Sequence, residues 1–177
     1  ARESADMILL DDNFATIVAA IEEGRAVYAN IRKFLTYILT SNIPELVPYL
    51  AFVLFKIPLP LTIIQILAVD LGTDMLPALA LGAELPDPHV MRRPPRSRGQ
   101  RLLTWPLLAR AYLFLGMIEA MAALAAFFFV LLPAGWRYGQ PISLHDPLHA
   151  DYLRATTACL IAIVLMQVVN VFVCRSE

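Results

Sequence analysis

The sequence predicts an all-α membrane protein, a bundle of four transmembrane helices, and three observations predict it. Of the 177 residues, 59% are hydrophobic and 16% charged, with a mean hydropathy of +0.64, whereas soluble globular domains average roughly 25% charged residues. Fourteen basic and 15 acidic residues are too few to give a chain of this length a solvated surface, and the same composition excludes disorder. Four apolar stretches, 34–55, 61–81, 111–132 and 155–174, are each long enough to cross a bilayer. The basic residues, finally, fall in the segments between those stretches. A formal net charge of −1 excludes nucleic acid as a partner, since neutralising phosphates takes a basic excess.

Residues 1–33 precede the first span. They do not read as a signal peptide, because Glu3, Asp6, Asp11 and Asp12 stand where a basic and then apolar leader would lie. Met7 to Leu10 has the pattern of a short strand, Asp11 to Asn13 supply a turn and a helix N-cap, and Phe14, Ile17, Val18 and Ile21 recur at helical spacing in a helix running to Val27. One strand and one helix have no core of their own, so they are expected to dock on further polypeptide. The turn 56–60 joins the first two spans in a tight hairpin. Arg2, Arg25, Arg32 and Lys33 lie before the first span, Arg92, Arg93, Arg96, Arg98, Arg101 and Arg110 in the loop 82–110, and Arg175 after the last span. Against these stand only Lys56, Arg137 and Arg154 on the other side, which orients both termini to the cytosol. Trp105 and Trp136 flank the third span and are expected at its two interfaces.

Polar residues within the spans carry the chemistry. The first span contains Thr40-Ser41-Asn42-Ile43-Pro44-Glu45 and the second Asp70-Leu71-Gly72-Thr73-Asp74-Met75-Leu76-Pro77. A carboxylate in mid-bilayer costs several kcal/mol on insertion scales and so asks for a function. Ser41 and Asn42 lie four and three residues before Glu45, on one helical face, and Asp70 and Asp74 share a face of the second helix. Counted along the spans, Glu45 and Asp70 both fall near the midplane, and the hairpin makes their helices neighbours. Pro44 frees the carbonyl of Thr40 and Pro77 that of Thr73, while Gly72 weakens the second helix at the same level. Carbonyls, hydroxyls, an amide and three carboxylates form an all-oxygen environment suited to Na⁺, K⁺ or Ca²⁺. No Lys or Arg lies in either span, so the counter-charge must be bound cations, protons or both.

The remaining candidates are weaker. Gln167 and Asn170 lie three apart on one face of the last span, at the edge of the site or in helix packing. Glu119 stands alone in the third span and reads as a packing or snorkelling group rather than a ligand. Cys159 and Cys174, both in the last span, suggest apolar packing and neither a disulfide nor a zinc site. His145 and His149, four apart beside Asp146 and Asp151, lie in a loop broken by Pro141 and Pro147 and read as loop residues rather than metal ligands.

Asp-Asp-Asn-Phe at 11–14, a basic stalk, Thr-Ser-Asn-Ile-Pro-Glu at 40–45, Ile-Pro-Leu-Pro-Leu at 57–61, Asp-Leu-Gly-Thr-Asp-Met-Leu-Pro-Ala at 70–78 and Met-Arg-Arg-Pro-Pro-Arg at 91–96 follow one another in order. In this the chain resembles the C-terminal part of type II P-type cation-transporting ATPases, and most of all the sodium/potassium pumps. The resemblance implies that residues 1–25 end a cytoplasmic phosphorylation domain, 26–33 form a stalk, and 34–177 form a cation-transport domain whose spans are the family's fifth to eighth helices. It implies ligands Ser41, Asn42 and Glu45 from the fifth helix, Asp70, Thr73 and Asp74 from the sixth, and Gln167 and Asn170 as contributors from the eighth. Calcium pumps usually have Asn in place of Asp70, gastric proton/potassium pumps have Lys in place of Ser41, and sodium/potassium pumps have Asp in place of Asn170. Na⁺/K⁺ is therefore the expected cargo and Ca²⁺ the alternative, in a multi-pass protein of the plasma membrane.

The resemblance also shows what the chain lacks. It has no Asp-Lys-Thr-Gly-Thr phosphorylation motif and no Gly-Asp-Gly motif for Mg²⁺, so no catalytic residue is expected in it. ATP and Mg²⁺ would act through phosphorylation, nucleotide-binding and actuator domains outside it, which with the first four helices and the lipid bilayer are its implied partners. The basic loop from Ala83 to Arg110 resembles the family's coupling loop. A free-standing four-helix channel or ion carrier, or an accessory fragment without ATPase activity, is the rival reading, against which the orphan N-terminal strand and helix argue.

Overall fold

The computed structural model describes Ile8, residues 13–95, Ser97, Gly99 and residues 101–176. The described residues are helical with no strand. Apart from Ile8, which is in no regular element, the strand expected over Met7 to Leu10 lies outside them. Four helical rods are each long and apolar enough to cross a membrane, as the hydropathy predicts.

The first rod is the longest. Helix α1 (Phe14–Ser41) starts at Asn13, whose side chain accepts the Ala15 N–H at 3.0 Å, and after the single residue Asn42 continues as α2 (Ile43–Phe55). Its 42 residues rise about 1.5 Å each and exceed a hydrocarbon core of about 30 Å roughly twofold; its N-terminal half, where Arg25, Arg32 and Lys33 lie, is termed the stalk. Asn42 interrupts the rod because Pro44, the second residue of α2, brings no N–H. Helix α2 ends at Lys56 in the left-handed region, φ 52°, and Pro58 and Pro60 follow. Thr62 then restarts the chain: its hydroxyl accepts the Gln65 N–H, and the Gln65 side chain accepts the Thr62 N–H at 2.9 Å.

The second rod comprises α3 (Ile63–Val69), a wider π-helical turn over Asp70–Asp74, and α4 (Met75–Gly82). The third comprises α5 (Trp105–Leu108), a π-helical stretch over Ala109–Gly116, and α6 (Met117–Leu131). The fourth is α7 (His149–Arg175). The last two rods begin six residues before the apolar stretches at 111 and 155 do, because backbone hydrogen bonding carries a helix into its flanking polar turns.

Small residues bring α6 and α7 together. Ala120, Ala123, Ala155 and Cys159 are fully buried between the last two rods and their neighbours, as expected where lipid is as apolar as the side chains and association depends on close packing. Phe127, Leu131 and Ile163 fill the same core, and the Tyr152 hydroxyl donates to the Leu59 carbonyl at 2.9 Å, fixing the hairpin turn to the last rod. Trp136 follows the end of α6, at the end of the third rod where the sequence expects it, but its ring is packed inside the protein. Gly135, with φ 99°, turns the chain back so that the indole is 5% exposed in this core and donates to the Gln140 carbonyl at 2.9 Å. Trp105, at the other end of the rod, is exposed. A second small core at the stalk side joins Tyr37, Ala78, Leu81 and Cys174.

Candidate cation site within the membrane

Two irregularities of the backbone meet at mid-bundle. The break at Asn42 places Glu45 in the first turn of α2, and the π-helical turn of the second rod begins at Asp70 and ends at Asp74. All three carboxylates are partly buried, and both Asp70 and Asp74 act on Glu45 as like charges. Glu45 Oε1 is buried without a hydrogen-bond partner among the described residues. Asp74 accepts the Tyr37 hydroxyl at 3.1 Å, and Ser41, whose hydroxyl donates to the Ile38 carbonyl at 3.1 Å, lies within reach of the same carboxylate.

The fourth rod closes one side. Thr73 Oγ1 lies 2.9 Å from Gln167 Oε1 and 2.9 Å from the Val69 carbonyl, joining the π-helical turn to α7. Gln167 and Asn170 are 2% and 3% exposed, yet the amide nitrogen of each has no partner among the described residues; Asn170 Oδ1 accepts the Cys174 thiol at 3.4 Å. Asn42 stands apart from the other sequence-predicted residues. It is exposed, and its amide folds back on the Ile38 carbonyl at 2.6 Å, because it sits in the helix break, where the three-residue spacing to Glu45 no longer fixes a common face.

No three acidic, His or Cys side chains among the described residues converge closely enough to hold a metal ion by themselves. The carboxylates repel one another, and each is only partly buried. An ion there would draw further oxygens from hydroxyls, from backbone carbonyls at the two irregularities and from polypeptide outside these residues. His145, in the distant loop, is exposed.

The stalk end treats charge differently. Glu84, just past α4, receives the Lys33 ammonium at 2.7 Å on one oxygen and the Arg175 guanidinium on the other, and its carbonyl accepts the Asn30 amide at 2.6 Å. Burial pushes the Glu84 carboxyl up, but the hydrogen bonds and charges of Lys33 and Arg175 outweigh it and hold the group below the usual carboxylate range. Asp87 is held low as well, first by the His89 N–H and then by the charge of Arg93. Arg25 on the stalk donates to the carbonyls of Val90 and Arg93 at 3.1 and 2.8 Å, so the basic loop is bound along α1.

Comparison with known proteins settles the family. Residues 58–177 match the family model described as the C-terminus of cation transporting ATPases. The chain belongs to the cation-transporting ATPases. Among similar proteins, the sodium/potassium-transporting ATPase subunit alpha of Drosophila melanogaster is 39% identical over 200 residues, covering 100% of this chain and 19% of that protein. The alpha-3 subunit of Homo sapiens is 45% identical over 145 residues, covering 81% of this chain and 14% of that protein. The human alpha-4 subunit is 47% identical over 138 residues, with 77% and 13% covered. The chain thus spans about a fifth of the length of the curated relatives it matches along its whole length.

With four crossing rods and these relatives, this ATPase chain is an integral, multi-pass membrane protein. Sequence reasoning missed one residue of its polar interior, Tyr37, and left another, Glu119, between packing and snorkelling. Tyr37 reads as an ordinary apolar helix position, yet it is fully buried and donates to Asp74. Glu119, expected to pack or snorkel, is 2% exposed with Oε2 unpartnered. Burial on that scale rules out snorkelling to an interface. Its only signal in the sequence was a lone carboxylate in an apolar span, three residues beyond Gly116.

Proposed function

We propose that this chain forms the cation-binding and coupling part of the membrane domain of an ATP-driven pump for Na⁺ and K⁺. The observation that carries the reading is the meeting of Glu45, Asp70 and Asp74 at two backbone irregularities, in spans without a single Lys or Arg. Such a cluster needs an exchangeable positive charge, and hard oxygen donors favour alkali or alkaline-earth cations. Ser41, Glu45, Asp70, Thr73 and Asp74 are its inner ligands and Gln167 and Asn170 its edge, while Asn42 is left outside. Asp70 and the sodium/potassium-transporting relatives favour Na⁺ and K⁺ over Ca²⁺.

In this reading the Glu84 end faces the cytosol of a plasma-membrane pump, in keeping with the excess of Lys and Arg there. ATP and Mg²⁺ act on domains outside these residues. Phosphorylation there shifts the stalk half of α1, and because α1, α4 and the basic loop are tied through Asn30, Lys33 and Arg25, the shift reaches Glu45 and Asp74 together. The two helices then present their carboxylates in one of two arrangements with different affinity and access.

The test is ATP hydrolysis by the complete pump against Na⁺, K⁺ and Ca²⁺ separately, with Asp74→Asn alongside. Stimulation by Na⁺ and K⁺ that disappears in the variant is expected. Unchanged cation dependence in the variant would remove Asp74 from the site, and stimulation by Ca²⁺ alone would overturn the choice of ion.

A further inference from the structure

Glu119 on α6 lies outside the cluster assigned above, in a place where an acid is hardest to keep. It is 2% exposed, in the first turn of α6 and flanked by the fully buried Ala120 and Ala123. Its Oε2 has no hydrogen-bond donor, and it takes part in no ion pair among the described residues. The charged side chain that acts on it is Asp74, another anion, and Tyr37, whose hydroxyl donates to Asp74, feels both. The four spans hold no Lys or Arg between residues 111 and 132 or in the other apolar stretches. None of those stretches therefore supplies the missing positive charge, the charge that acts on Glu119 is the anion Asp74, and a buried carboxylate without a counter-charge costs several kcal/mol.

We propose that Glu119 is a cation ligand, holding with Asp74 an alkali cation of its own beside the Glu45–Asp70–Asp74 cluster. The inference rests on the pump reading above and adds a second position on the ion path, toward the stalk side where Tyr37 packs with Cys174. The ion is monovalent because no third acidic group among the described residues completes a metal-holding group with the pair, and divalent sites depend on a higher count of charged oxygens. Asp74, shared between the two positions, ties their occupancies: a cation at one position relieves the repulsion felt at the other.

The complete purified pump tests this by equilibrium binding of radioactive Na⁺ and of Rb⁺ as a K⁺ probe, together with cation activation of ATP hydrolysis. Glu119→Gln, the same size and neutral, should bind one alkali cation fewer. It should also raise the half-activating concentration roughly tenfold or more, the scale of one lost charge-assisted contact, and lower the Hill coefficient. Glu119→Asp should recover part of both, which separates a missing charge from a misfolded bundle. Full stoichiometry and an unchanged Hill coefficient in Glu119→Gln would overturn the proposal, since a carboxyl that stays protonated is replaced by Gln at no loss. With Asp74→Asn in parallel, loss of cation dependence there but full binding in Glu119→Gln overturns only the second position. Intact cation dependence in Asp74→Asn overturns the pump reading itself.

Discussion

Glu84 and Asp74 are both acidic residues that join two rods, and the molecule treats them in opposite ways. Glu84, at the stalk end, is satisfied by two fixed cations, Lys33 and Arg175, each from a different helix. Asp74, at mid-bundle, has the Tyr37 hydroxyl and the neighbouring Ser41, while the charges around it, Glu45, Asp70 and Glu119, are all negative. A fixed counter-charge makes a permanent joint. On the proposed reading an absent one leaves a place for an exchangeable cation, and a pump would need both: a joint that transmits displacement and a site whose occupancy responds to it.

The sharpest way to break the comparison is to neutralise the mid-bundle acid. Asp74→Asn should reduce cation-stimulated ATP hydrolysis of the complete pump by roughly two orders of magnitude or more, the scale of losing a charged ligand; steady-state hydrolysis against Na⁺ and K⁺ reads it out. Next comes the packing that brings the helix break to the third rod. A Cβ on Gly116 would stand 2.6 Å from Ile43 Cβ and 2.9 Å from the Ala111 carbonyl. Gly116→Val should therefore cost about 1–3 kcal/mol by overpacking, seen as a lower midpoint in thermal unfolding in detergent, with activity falling as the break is pushed away from α6.

Thr73→Val tests the seam between the second and fourth rods. It keeps the shape but strips the Oγ1–Gln167 Oε1 contact of 2.9 Å, leaving a buried amide with neither end satisfied, at about 1–3 kcal/mol. The thermal midpoint should drop, and a Thr73→Ser variant should restore most of it. A Thr73→Val protein as stable as the parent would show that this seam does not hold α7.

The smallest effect belongs to the joint at the stalk end. Glu84→Gln should cost about 1 kcal/mol or less, because Arg175 is largely exposed and water already competes for it. The sign of its pH dependence follows from the direction of the shift. The carboxyl is held low in the folded chain, so the joint contributes fully above the unfolded carboxylate pKa and is lost as pH falls through the lower folded value. Thermal midpoints recorded from neutral to about pH 3 should fall more steeply for the parent than for Glu84→Gln. Parallel curves would mean that Glu84 carries no linkage.

Much of this was legible in the residues themselves, for a physical reason. Whether a segment crosses a membrane depends on its local hydropathy, so the four spans, the tight hairpin and the sorting of the basic residues were available from sequence order alone. That Asp70 and Asp74 lie near enough to Glu45 to act on it as like charges could also be read, since four-residue spacing within a helix and a short turn between two helices leave little freedom.

What the sequence left open depends on rotation about the helix axes, which local pattern does not encode. The π-helical turns at Asp70–Asp74 and Ala109–Gly116 each widen the helix and shift the face presented by everything after them, since one added residue rotates a helix by about 100°. The shift after Gly116 accompanies Glu119 turned inward rather than out to an interface, and the break at Asn42 accompanies an amide turned outward. The packing of the Trp136 indole inside the core was not legible for the same kind of reason: a left-handed glycine beside it redirects the chain. The sequence alone determined which segments enter the bilayer and which acids go with them. Only the tertiary structure decided which way each acid faces, because that depends on packing between helices far apart in the chain.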